Sequence, residues 1–192
     1  MRMRAVAVAA LMGVAVFGVS VRAADLVSLA WGEFRPNEEN ALTAKSVALS
    51  AGANELNLAI ELGALTATAE GQATEGSASY AGEVAVQQPD YLSLPAMHIE
   101  LKGQVVKTEG TEASIEIVVG NVTKTIDWPA DKAIAENFST TIDADIPGGQ
   151  IPAPFPVSAK LTVKKPTGAG ASLLSLQRIT VKIGQQRVAT VQ

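Results

Sequence analysis

Ala113-Ser114-Ile115-Glu116-Ile117-Val118-Val119-Gly120-Asn121-Val122-Thr123-Lys124-Thr125-Ile126-Asp127-Trp128 is the stretch whose reading decides the fold. Two segments of strict apolar–polar alternation meet at Gly120-Asn121, and a two-residue loop with glycine first suits a type II′ hairpin turn. With that turn closed, Val119 lies opposite Val122 and Ile115 opposite Ile126, so one side of the hairpin is apolar. Ile117 lies opposite Lys124, a charge on the apolar side of the kind that keeps a sheet edge from pairing further. Ordering such a hairpin costs about as much as burying its apolar side returns, unless a second sheet covers that side. The hairpin therefore predicts a sandwich or a partly closed barrel.

Working outward, the same two-residue rhythm recurs along the chain. Leu56, Leu58, Ile60 and Leu62 alternate with Asn57, Ala59 and Glu61, where a helix would need spacings of three and four. Leu65, Ala67 and Ala69 continue it beyond Gly63. Ala78, Tyr80, Val84 and Val86 share one side of Ser77 to Val86, and Met97, Ile99 and Leu101 point away from His98, Glu100 and Lys102. Phe138 to Ile146 and Val157 to Lys164 alternate as well. A first strand is expected over Leu26 to Trp31, a polar loop over Arg35 to Asn40, a weaker strand over Leu42 to Ser50, and a last strand over Arg187 to Val191. Leu174 and Leu176 are out of phase with Ile179, Val181 and Ile183, and a β-bulge near Gln177 reconciles them. Pro129 to Asn137 is the one place a short helix is expected. Pro147 to Pro156, with four prolines and two glycines, predicts an extended crossing between sheets. The total is nine to eleven short strands separated by turns: an all-β chain, folded as an antiparallel β-sandwich or partly closed barrel.

Ahead of it, Arg2 and Arg4 precede the apolar run Ala5 to Val19, and Val21-Arg22-Ala23 supplies small residues at the −3 and −1 positions. Residues 1–23 are thus expected to be a cleaved secretory signal peptide, an uncleaved anchor being the alternative, and residues 24–192 a single domain. A domain of that size buries a core without covalent staples, and the chain has no cysteine. Absent disulfides in an exported chain favour a bacterial periplasm or surface, so the protein is expected to be periplasmic or secreted. No second long apolar run follows, so no further membrane span is expected.

The formal net charge is −4; without Arg2, Arg4 and Arg22 it becomes 12 basic residues against 19 acidic, or −7. A mildly acidic total argues against nucleic acid as the main partner. All 19 acids lie between Asp25 and Asp145. The basic end beyond them places Lys160 and Lys164 on the outward side of one strand, and Arg178 and Lys182 on that of the next. If the Thr167 to Ser172 loop makes those strands antiparallel neighbours, four cations line one face suited to an anionic polysaccharide or envelope component. The competing reading is that they pair with neighbouring acids.

No cofactor motif is present. His98 is the only histidine, with neither a Gly-x-Ser-x-Gly elbow nor a second histidine to complete a metal pair, so an exposed structural role is expected. Asp143 and Asp145 lie two apart on one strand, about 7 Å from each other. That spacing suits an inverting glycoside hydrolase or, with Asp127 and Asp131, a calcium site, but a solvated strand face is the simpler reading. Trp31 and Tyr80 share the phase of core residues, whereas Tyr91 and Trp128 fall at loop positions and are candidates for stacking on sugar rings. Asn121 and Asn137 match the glycosylation acceptor pattern, which carries no weight in a bacterial chain. The expected function is a non-enzymatic binding or structural module of the cell envelope or exterior. The alternatives are a self-assembling subunit that adds a terminal strand to a neighbour's sheet, and a hydrolase using Asp143 and Asp145.

Overall fold

The computed structural model describes residues 29–37, 44–52, 55–63 and 65–184. The expected signal peptide, the start of the first strand and the last strand lie outside them. Eleven strands run in chain order: β1 Ala30–Pro36, β2 Ala44–Ala51, β3 Glu55–Leu62, β4 Thr66–Ala69, β5 Glu75–Gln87, β6 Ala96–Lys107, β7 Glu112–Val119, β8 Val122–Trp128, β9 Ile134–Asp145, β10 Phe155–Lys164 and β11 Ser172–Gly184. They form two antiparallel sheets. One has the order β1-β5-β10-β7-β8; the other runs β2-β3-β11-β6-β9, with β4 pairing β11 beyond the end of β3. Among the described residues no helix is long and apolar enough to cross a membrane.

Alternation places the core. The inward residues of β3, β6 and β11 meet those of β5, β7 and β10, and Leu56, Leu58, Ile60, Ile99, Leu101, Ile115, Ile117, Leu161 and Leu174 are fully enclosed. Tyr80 is a core residue as expected, and Trp31, partly buried, packs against the core; its ring meets Phe155 edge-on, with centroids 5.4 Å apart. The β7–β8 hairpin has the expected register, Val119 opposite Val122 and Ile117 opposite Lys124, and β8 is a sheet edge. Gly120 has φ +57° while Asn121 after it does not have positive φ, as a II′ turn requires. A methyl group there would also come within 2.7 Å of the Phe155 ring. In β11 the register slips between Leu176 and Arg178, the bulge expected at Gln177. Pro147 to Pro154 crosses from β9 in one sheet to β10 in the other, as its prolines imply.

Three expectations are corrected. The first strand runs on through Arg35, which pairs with Glu83 of β5, so the polar loop does not begin at Arg35. No helix forms at 129–137; turns lead into β9 at Ile134, directly opposite Lys107. The cause is Lys107, which is 3% exposed. Its ammonium donates to the backbone carbonyls of Pro129 (2.6 Å), Lys132 (2.6 Å) and Thr111 (3.1 Å), and Gly110 N–H takes the Ala130 carbonyl (2.8 Å). Carbonyls that would start a helix are thus held from outside.

The third correction matters most. β10 and β11 are consecutive but not neighbours: β10 pairs with β5 and β7, β11 with β3, β4 and β6. The 165–171 loop is a crossover between sheets, not a hairpin. Buried Lys165 holds it, donating from Nζ to the Gly71 (3.0 Å) and Ala169 (2.9 Å) carbonyls while its own N–H bonds Thr74 O. β10 and β11, both with unbroken inward apolar residues, become central strands of opposite layers, where each buries most apolar surface.

Candidate functional site

Because β10 and β11 belong to different sheets, the four C-terminal cations do not share a face. Lys160 and Lys164 project from the five-stranded sheet, Arg178 and Lys182 from the six-stranded sheet, on opposite sides of the sandwich. The register of the six-stranded sheet instead assembles a different site. On its outer face Asp143, His98, Lys182 and Asn57 form one cross-strand row, and Asp145, Ala96, Gly184 and Glu55 the next. The second row has almost no side chain at its middle, so Ala96 and Gly184 floor a trough with Asp145 at one end and Glu55 at the other. Three strand spacings make it about 14 Å long. Lys182, His98 and Asp143 stand along its wall, and the hollow measures about 460 Å³.

The trough has both satisfied and open groups. His98 Nδ1 lies 2.5 Å from Asp143 Oδ1, donating to it, with both side chains exposed. Asn57 Nδ2 donates to Glu55 Oε1 at 2.6 Å, and the Asn57 carbonyl accepts from Trp31 Nε1 at 2.9 Å, which ties this end of β3 to the other sheet. Lys182 and Asp145 have no ion-pair or hydrogen-bond partner among the described residues. Their polar atoms are free to meet a ligand.

The next rows of the same face are closed. Lys102 Nζ lies 2.8 Å from Glu100 Oε1, and Ser139 Oγ donates to the same oxygen at 3.3 Å. The Lys102 hydrogen bond and charge, with help from Ser139 and Lys182, hold the Glu100 carboxyl below the usual carboxylate range. Arg178 bonds the Glu61 carboxylate opposite it, and that bond and charge raise the guanidinium pKa further. Arg178 is therefore engaged within the sheet.

The other candidates fall as follows. Asp143 and Asp145 both line the trough, but among the described residues no three histidine, cysteine, aspartate or glutamate side chains converge to hold a metal ion, so a calcium cage is not formed. Trp128 is 9% exposed and packs on Phe138, centroids 5.0 Å apart, which removes it as a stacking platform. Tyr91 is 74% exposed, on the connection that leads into Ala96 of the trough floor. His98 is exposed as expected. Asp143 was a candidate only together with Asp145, and Glu55 was not a candidate at all, because only the register between distant strands aligns them with His98.

Chemically, the trough offers three carboxylates as acceptors, one ammonium as donor and an imidazole that does either. Among the described residues no serine, threonine or cysteine lines it. Three acids against one lysine repel a polyanion.

No protein-family model matches the chain, and no curated protein matches its sequence. Among solved structures, the chain is similar to TmCBM61 in complex with beta-1,4-galactotriose (9% identity, TM-score 0.35, covering 79% of this chain and 86% of that one). It is also similar to the CBM36-1 domain of a multidomain xylanase from the hindgut metagenome of Trinervitermes trinervoides (13%, 0.27, 81% and 98%). A further likeness is to infectious bursal disease virus, Gx strain (12%, 0.37, 76% and 34%). These likenesses concern the two-layer β fold and carry no residue of the trough.

Proposed function

We propose that the protein is an exported, non-catalytic binding module of the cell envelope or exterior, and that it takes a neutral, hydroxyl-rich glycan in the trough between Glu55 and Asp145. The observation that carries this reading is the pairing of a floor almost without side chains, Ala96 and Gly184, with Lys182 and Asp145 beside it, neither of which has an ion-pair or hydrogen-bond partner among the described residues. Carboxylates accept from sugar hydroxyls and an ammonium donates to them, and charge-assisted bonds of this kind are about twice as strong as neutral ones. A floor length of about 14 Å accommodates a short run of sugar units. The excess of acid in the trough, together with the separation of the basic strands, favours a neutral glycan over the anionic polymer suggested by the C-terminal charges alone.

The test is affinity electrophoresis and calorimetry against neutral, acidic and amino-substituted polysaccharides. Binding to a neutral glycan is expected, with Lys182→Ala and Asp145→Ala each weakening it by about ten- to a hundredfold, the size of one charged hydrogen bond. Binding unaffected by both substitutions, binding confined to acidic polymers, or release of new reducing ends would overturn the proposal.

A further inference from the structure

The outer face of the five-stranded sheet carries a second pattern. Among its outward residues are two charged stripes of opposite sign on adjacent strands, Lys160 and Lys164 on β10 and Glu112 and Glu116 on β7; Glu75 and Glu83 on β5, Asp127 on β8 and Arg35 on β1 are further charges of this face. Lys160 lies directly opposite Glu116, and Lys164 opposite Glu112, with Thr162 and Ser114 between them. All four charged side chains are exposed. Although they are neighbours, no ion pair joins them among the described residues, in contrast to the closed pairs of the other sheet.

This register has a consequence under two-fold symmetry. A two-fold axis lying along the strands, midway between β10 and β7, places each residue of β10 over its own cross-strand partner in a second copy. Lys160 then faces Glu116, Lys164 faces Glu112, and both contacts occur twice. On the flanking strands Ser79 of β5 falls over Thr125 of β8 and Ser77 over Asp127, while Glu75 falls beyond the end of β8, so no two like charges lie directly over one another. From these registers we infer that the outer face of the five-stranded sheet is an isologous interface with a second copy of this chain.

The area fits a modest association. Eight residues by four strands cover about 27 by 19 Å, about 500 Å² on each copy. A total of about 1,000 Å² lies at the low end of specific interfaces. The face is polar, so the dimer is expected to be weak and salt-sensitive, with a Kd of about 10–100 μM. Aligned packing of two twisted sheets is a common arrangement. Dimerisation through this face leaves the two troughs outward on opposite sides.

Sedimentation equilibrium of the protein tests the inference. Dimerisation is expected at about 50 mM NaCl, weakening about tenfold or more near 500 mM. The double variants Lys160→Glu/Lys164→Glu and Glu112→Lys/Glu116→Lys should each be monomeric, since each opposes like charges. An equimolar mixture of the two should form a heterodimer, because every contact becomes complementary again. Unchanged far-UV spectra and melting show that both variants fold; should either not, Lys160→Gln/Lys164→Gln replaces it, expected monomeric. A wild type monomeric to about 1 mM at low salt, a dimer that survives the charge reversals, or two folded variants that do not associate on mixing would each overturn it.

Discussion

Tyr80 makes the sharpest energetic prediction. Its ring is 1% exposed, pointing inward from β5 opposite Ala159 of β10, and its hydroxyl has no hydrogen-bond partner among the described residues. Leaving such a donor unmet costs about 1–3 kcal/mol. Tyr80→Phe keeps the buried ring and removes the hydroxyl; the void, of about 10 Å³, costs only about 0.2 kcal/mol at ~24 cal/mol per Å³. The variant should therefore be more stable at pH 7 by about 1–3 kcal/mol, a rise in Tm of about 2–12 °C for a domain of this size. Burial also pushes the phenol pKa well above its ordinary value of 10.0. A group whose folded pKa is raised contributes fully below its unfolded pKa and loses that contribution as pH rises above it. Wild type should thus lose stability above pH 10 by about 1.4 kcal/mol per unit beyond whatever Tyr80→Phe loses. Calorimetry from pH 7 to 11 on both proteins reads both effects. A variant no more stable at pH 7, or Tm curves that stay parallel above pH 10, would refute the reasoning.

Further outcomes follow from the same physics. Lys107→Met removes the ammonium from three carbonyls and should lower stability by about 3–5 kcal/mol in urea unfolding. Gly120→Ala forces a positive φ on a residue with a Cβ and drives that atom into the Phe155 ring, so a loss of about 1–2 kcal/mol or more is expected in the same assay. Glu100, whose carboxyl is held low by Lys102, contributes stability that is present above the ordinary carboxylate pKa and lost as pH falls through the depressed value. By NMR its titration should lie below the usual range and move upward in Lys102→Gln; an unmoved midpoint would assign the shift elsewhere.

Much of the fold was legible from residue patterns because strand formation is governed by local alternation. The β7–β8 hairpin, its register, the edge lysine at 124 and the Gln177 bulge depend on neighbours within one or two strands. The expected helix at 129–137 failed for a reason no local window contains: Lys107, some twenty residues earlier, captures its carbonyls. Tyr80 was correctly placed in the core by phase and Trp31 on the inward side, where it is partly buried, while Trp128, at the end of its strand, was taken for a loop residue and is covered by Phe138.

The candidate site divides the same way. That His98, Asp143, Asp145 and Lys182 point outward follows from the two-residue period of their strands. That they stand together, and that Lys160 and Lys164 stand on the opposite side of the molecule, follows only from strand order. Two central strands consecutive in sequence bury more apolar surface in separate layers than side by side, and that choice is made by the whole core. The amino-acid sequence determined which face of each strand is wet; the tertiary structure decided which wet faces meet, because pairing between distant strands is a property of the packed sheets rather than of any one segment.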